Sequence, residues 1–258
     1  MKAAPFAYAK PRSIEETFNL LERHGAGARI LAGGQSLIPS LNMRLSSPDL
    51  LIDISALADL KNISRVDGSL RIGALVTHSQ IEKSEDVRKH VPMLAEAVQH
   101  VAHPAIRNRG TLGGSLALAD PAAEYPACAV ALDAVFIIKS KKTERRVKAV
   151  DFFRGLFETD LKPGEIVVAV EFPVIKPGER CVFLELARRH GDYAIVGLAA
   201  FKGTETRFVF MNVGPVPVMV SSVDRLEPMA DLYNSAATKR HLAGVLMERA
   251  WKTLSTSR

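Results

Sequence analysis

The feature that most restricts this chain is the run Arg107-Asn108-Arg109-Gly110-Thr111-Leu112-Gly113-Gly114-Ser115, followed at once by Leu116-Ala117-Leu118-Ala119-Asp120-Pro121. Adjacent glycines stand between a basic turn and a helix start. Asp120 is the expected N-cap of that helix, and Pro121 its first residue, where a missing N–H costs nothing. Glycine permits positive φ and lets a ligand reach the main chain without a Cβ in the way. Successive N–H groups in such a turn make a nest for an anion. An earlier stretch, Ile30-Leu31-Ala32-Gly33-Gly34-Gln35-Ser36-Leu37, repeats the order apolar, Gly-Gly, polar. Taken singly, each pair is an ordinary tight turn. Together they predict two walls around one phosphate-bearing ligand.

The chain around these loops reads as α+β. Ser13-Ile14-Glu15-Glu16 is a capping box, and Ile14, Phe18 and Leu21 follow at helical spacing until Gly25. Arg29 to Ala32 is a short strand leading into the first glycine pair, and Leu50 to Ile54 is a buried one. The first loop therefore sits at a strand's carboxyl end, where ligands of open α/β folds bind. Strands are expected over Ser69 to Leu75 and Ala134 to Ile138, with a second capping box at Thr77-His78-Ser79-Gln80. Leu94, Val98 and Val101 share one helical face. Pro126 is expected to kink the helix from Pro121 to Leu132. Ile166, Val168, Val170 and Phe172 alternate, as in a strand with one buried face. Pro173-Val174-Ile175-Lys176-Pro177-Gly178 breaks the chain. Beyond it lie strands at Val182 to Ala187, Ala194 to Phe201 and Phe208 to Val213, then a helix carrying Leu242, Val245, Leu246 and Ala250.

Composition narrows the function. The 258 residues suffice for one large domain or two or three small ones. No run approaches the ~20 apolar residues of a membrane helix, and Met1 to Phe6 has no apolar leader, so a cytoplasmic location is expected. Net charge is +6, but the basic residues are scattered apart from Lys139 to Lys148, and aromatics are only 6%. Without aromatic–basic interleaving, nucleic-acid binding is not expected. Cys128 and Cys181 are too few for a disulfide scaffold or an iron–sulfur cluster.

Catalytic side chains do not stand out. Neither glycine loop continues as Gly-Lys-Ser/Thr, and neither spells Gly-x-Gly-x-x-Gly. His100-x-x-His103 lacks a completing carboxylate, and Pro104 ends its helix, so no metal site is expected. There is no Gly-x-Ser-x-Gly elbow, and Cys128 has no electropositive setting. A chain without acid, base or nucleophile points to a cofactor that carries the chemistry.

Four ordered motifs resemble a known family, the flavin-binding medium subunits of molybdenum hydroxylases, a group that includes the carbon monoxide dehydrogenase medium subunit and the FAD domain of xanthine dehydrogenase. They are Ala32 to Pro39, Ile106 to Ser115, Ala119 to Glu124 and Arg188 to Ala194. The resemblance implies a two-subdomain, vanillyl-alcohol-oxidase-like FAD-binding fold with a C-terminal three-stranded sheet and helices. Its expected divisions are 1–55, 56–175 and 178–258. It implies non-covalent FAD, with Ala32, Gly33, Gly34, Gln35, Ser36 and Leu37 around the pyrophosphate and Thr111, Gly113, Gly114 and Ser115 closing over it. By the same resemblance Glu124 stands near the ribityl–phosphate region, Val101 and Leu161 are apolar contacts, and Tyr193 lies beside the isoalloxazine ring.

Two departures from the family pattern stand out. Glu185 occupies a position where the carbon monoxide dehydrogenase branch often has Lys, and it is not expected to contact the flavin. The segment from Arg225 to the last helix is also short. The implied role is an electron-transfer flavoprotein subunit, with substrate oxidation on a large molybdopterin partner and two-iron two-sulfur clusters on a small one. A dimer of such heterotrimers, passing electrons to an external acceptor, is expected. A self-contained flavin oxidase or reductase is the alternative.

Overall fold

The computed structural model describes residues 2–256. The N-terminal part is β1 (Ala7–Ala9), α1 (Ile14–His24), β2 (Ala28–Leu31), α2 (Leu37–Asn42) and β3 (Leu50–Asp53). The α1 cap forms as its sequence demands: Ser13 Oγ accepts the Glu16 N–H at 3.1 Å. The strands make a parallel sheet in the order β1-β3-β2. Phe18 of α1 packs with Leu50, Ile52 and Ile54 in one core.

The middle part begins with β4 (Ile63–Val66), β5 (Ser69–Gly73), α3 (His78–Lys83), α4 (Glu85–His90), α5 (Pro92–Ala97) and α6 (Pro104–Arg107). It continues through α7 (Leu112–Leu118), α8 (Glu124–Ala131), β6 (Val135–Lys139), β7 (Glu144–Lys148) and α9 (Ala149–Phe152). The hairpin β8 (Phe153–Gly155) and β9 (Glu158–Thr159) then leads to β10 (Ile166–Pro173). Five strands form an antiparallel sheet in the order β4-β5-β10-β6-β7.

Strand β10 differs from its expected one-sided burial: every residue from Ile166 to Phe172 is buried. Ile166, Val168 and Ala169 join the core of the N-terminal sheet, whereas Val167, Val170 and Phe172 join the core under the helices. A bulge between Val167 and Ala169 shifts the register between the two.

Beyond a proline-bounded linker come β11 (Arg180–Ala187), β12 (Ala194–Lys202), β13 (Thr206–Met211), β14 (Val218–Met219) and α10 (Ala236–Ser255). The three expected strands are joined by the short β14, giving an antiparallel sheet in the order β11-β12-β13-β14. One face packs under α10 through Leu198, Phe208, Phe210, Leu246 and Ala250. The other contributes Phe183, Ala199 and Val209 to the middle core. Among the described residues no helix is long and apolar enough to cross a membrane.

Helix α8 starts later than its sequence suggests. Its N-cap is Ala123, not Asp120; the Asp120 carboxylate accepts the Ala122 N–H at 2.9 Å and closes a turn. Pro126 thereby falls in the first helical turn, where its missing N–H breaks no hydrogen bond, and the helix runs through it to Ala131.

Candidate functional site

A cleft of about 820 Å³ opens where the N-terminal sheet, the middle helices and the β11–β12 connection meet. That size lies within the usual range of cofactor pockets. Its lining includes Ala32, Gly33, Gly34, Gln35, Ser36 and Leu37 from one side, and Gly113, Gly114 and Ser115 from the other. Val101, Glu124, Leu161 and Tyr193 also line it. Thr111 does not. It stands behind α7 as N-cap, its Oγ1 accepting the Gly114 N–H at 3.1 Å.

The first glycine stretch leaves the carboxyl end of β2 and enters α2, with Gly34 at φ +74°. Among the described residues, the N–H groups of Gly34, Gln35, Ser36 and Leu37 are given to no protein acceptor, and the turn is closed instead by Ile38 N–H to Gly34 C=O at 3.1 Å. Ser36, at the N-cap of α2, makes no side-chain capping bond. The result is a row of unspent donors with a free hydroxyl among them, the chemistry that holds a diphosphate.

The second stretch differs from the expected turn. Thr111 caps it, and Gly113, Gly114 and Ser115 lie in the first turns of α7. Its donors are already committed: Leu112 N–H bonds Val76 C=O at 2.9 Å and Gly113 N–H bonds Ala74 C=O at 2.9 Å. Glycine is required at 113 for packing, because a Cβ there would lie 2.5 Å from the Ala74 Cβ. This wall therefore presents a helix N-terminus and the Ser115 hydroxyl, not a second nest of free N–H groups. The walls meet at Gly33, where a Cβ would lie 2.3 Å from the Arg109 carbonyl oxygen and 2.8 Å from Gly110 Cα.

The electrostatics of the cleft are unusual for an anion site. Burial pushes Glu124 up to about 8, with the carboxyls of Glu185 and Asp120 adding to the effect. Burial also raises Asp120 and takes Glu185 to about 7. Glu185 stands behind the wall and does not line the cleft. His78 was not singled out by sequence as a site residue, yet it lines the cleft while only 5% exposed. Burial, with Arg107 nearby, takes its imidazole down to about 4, so it is neutral. Its Nδ1 has no hydrogen-bond partner among the described residues. The capping box at Thr77 was the one available signal, since it pins His78 to the first turn of α3. At the rim, Tyr193 is 72% exposed, and Phe157 stands at the hairpin tip at φ +55°.

Residues 4–175 match the family model described as FAD binding domain in molybdopterin dehydrogenase. The 6-hydroxypseudooxynicotine dehydrogenase complex subunit alpha of Paenarthrobacter nicotinovorans is 44% identical over 200 residues, covering 78% of this chain and 68% of the relative. The nicotine 6-hydroxylase medium subunit of the same organism is 37% identical over 256 residues, covering 99% and 89%. Among solved structures, carbon monoxide dehydrogenase from Hydrogenophaga pseudoflava superposes with a TM-score of 0.92 at 31% identity, over 98% of each chain. With its fold and its sequence in agreement, the chain belongs to the family of FAD-binding domains of molybdopterin dehydrogenases, a flavoprotein component of an oxidoreductase.

Proposed function

We propose that this chain is the electron-transfer subunit of a cytoplasmic molybdenum hydroxylase complex. A large molybdopterin partner would oxidise the substrate and a small partner would carry two-iron two-sulfur clusters, the three forming a dimer of heterotrimers. The observation that carries the reading is the row of unspent N–H donors from Gly34 to Leu37, facing α7 across a cofactor-sized cleft. One relative named as a dehydrogenase complex subunit and another named as a hydroxylase medium subunit support the partners. Bound FAD would supply reversible electron storage between the partner's clusters and an external acceptor.

The chain's own residues bind and orient. Ala32 to Leu37 hold the diphosphate through main-chain donors and the Ser36 hydroxyl, and Ser115 adds a hydroxyl from α7. Gly113 lets α7 pack closely against Ala74 at the end of β5, Gly114 leaves room beside Thr111 and Ala32, and Thr111 fixes the α7 terminus. Val101 and Leu161 give apolar surface to the rings, Tyr193 flanks the outer ring, and Glu124 faces the chain between ring and phosphates. In this reading 1–55 and 56–175 are the two binding subdomains and 178–258 is the C-terminal domain.

Purification from the native host tests the proposal. One FAD per chain, together with molybdenum and iron on two further polypeptides, is the expected result. A yellow protein free of both metals that oxidises a small substrate by itself would overturn it in favour of a self-contained flavin oxidase.

A further inference from the structure

One stretch of the cleft wall has no regular structure of its own. It is the strap 160–165 between β9 and β10, and it brings Leu161 and Glu165 to the lining. Among the described residues, its only backbone hydrogen bond to the rest of the chain is Asp160 N–H to Phe152 C=O at 2.8 Å. Glu165 N–H instead turns back to Lys162 C=O at 3.0 Å, around Gly164 at φ +80°. A segment tied so thinly through its backbone opens easily unless a side chain holds it.

Arg145 holds it from β7, the edge strand of the five-stranded sheet, and its guanidinium grips both ends of the strap. At one end Nε donates to Glu165 Oε1 at 2.8 Å and Nη2 to Glu165 Oε2 at 2.6 Å. At the other, Nη1 donates to Asp160 Oδ2 at 2.6 Å and Nη2 to the Asp160 carbonyl at 2.7 Å. A planar fork can span two carboxylates in this way, and a lysine ammonium cannot. Arg154, half exposed, adds a single bond to Asp160 Oδ1 at 2.9 Å. Lys162 N–H donates to Glu165 Oε2 at 2.8 Å and closes the turn.

The same fork manages a charge. The Glu165 side chain is 7% exposed, and the Arg145 hydrogen bonds hold its carboxyl below the usual carboxylate range, so it is ionised and paired. Without Arg145, a carboxylate would stand uncompensated in the wall of a cleft that receives a diphosphate.

We propose that Arg145 is a positioning residue for the cofactor: by stapling the strap 160–165 to the sheet, it presets Leu161 against bound FAD and keeps the Glu165 charge from the ligand. The inference rests on the reading of the cleft as the FAD site. Once the staple is cut, FAD has to order the strap as it binds, and the cost appears as faster release.

The test titrates the full-length apoprotein with FAD, following flavin fluorescence, and measures the FAD dissociation rate and the apoprotein Tm on the same samples. Arg145→Gln is expected to weaken FAD binding by about tenfold, mainly through dissociation. Arg145→Lys keeps the charge without the fork and falls between that variant and wild type. Adding Glu165→Gln to Arg145→Gln removes the stranded charge and restores part of the affinity. Arg146→Gln is the comparison, because Arg146 follows on the same strand but pairs with Glu171, away from the strap. It lowers the apoprotein Tm and leaves FAD affinity near that of wild type. Wild-type affinity in Arg145→Gln overturns the proposal. So does a loss of affinity that follows the loss of Tm alike in both arginine variants, or a double variant no tighter than Arg145→Gln. If Arg145→Gln does not fold, Arg145→Lys against Arg146→Lys decides on the same criterion. Wild type that binds no FAD would instead defeat the assignment of the cleft.

Discussion

Gly33 is the residue on which both walls of the cleft rest. A Cβ there would meet main-chain atoms of Arg109 and Gly110, which no rotamer change can move aside. Gly33→Ala is therefore expected to push the walls apart, costing about 1–3 kcal/mol of stability and lowering FAD retention. The flavin-to-protein absorbance ratio after gel filtration and a thermal melt check both effects. Gly114→Ala should do less harm, since its Cβ would first meet the Thr111 hydroxyl at 2.9 Å. That glycine is needed at 33 was legible in the sequence; what it touches was not, because Arg109 arrives from a distant part of the chain. His78 was missed for a related reason: its burial is created by Gly110 and Tyr125 closing over it. A histidine whose folded form resists protonation stabilises the fold above its ordinary value of 6.5 and loses that contribution as pH falls toward 4. The urea midpoint of wild type should thus drop more steeply across that window than that of His78→Gln.

Elements were read well where a local pattern decided them and less well where a distant layer did. The α3 capping box formed as written because it is closed by residues three apart, whereas at α1 Ser13 caps the Glu16 N–H but the Glu16 carboxylate accepts from the Arg12 N–H instead of closing the box. Strand β10 was read as one-sided because alternation in sequence cannot show that a second sheet covers the outer face. Asp120 had the chemistry of an N-cap, but a turn took its carboxylate and delayed α8 by one helical turn. The second glycine stretch, expected as a loop, is held as helix by Thr111, so Thr111→Val should cost about 1 kcal/mol and loosen α7. Hydrogen exchange at Gly114 and Ser115 would register the change. Helix α10 is tied down by Lys239, buried, which bonds the Asn212 carbonyl at 2.8 Å and pairs with Asp231 at 2.8 Å. Lys239→Met should lower stability by about 1–2 kcal/mol, the pair being discounted for the solvent around Asp231. A denaturant midpoint measures it.

At the scale of the molecule, the cleft gathers segments from all three sheets' connections, so its ligand bridges parts that otherwise meet mainly through apolar contact. Saturating FAD at about a hundred times its Kd should raise stability by about 2.7 kcal/mol, visible as a higher Tm for holoprotein than for apoprotein. The stretch that matches the family model stops at residue 175, but Gly191, Asp192 and Tyr193 at the cleft rim come from beyond it. So do Phe183, Ala199, Phe201 and Val209, which complete the core beneath the middle helices. The proline-rich bend after β10 thus joins two parts of the chain that share one core. Anyone trimming the polypeptide to its recognisable portion would strip a supporting beam together with the awning, and be left with a sticky remnant unable to keep its pigment.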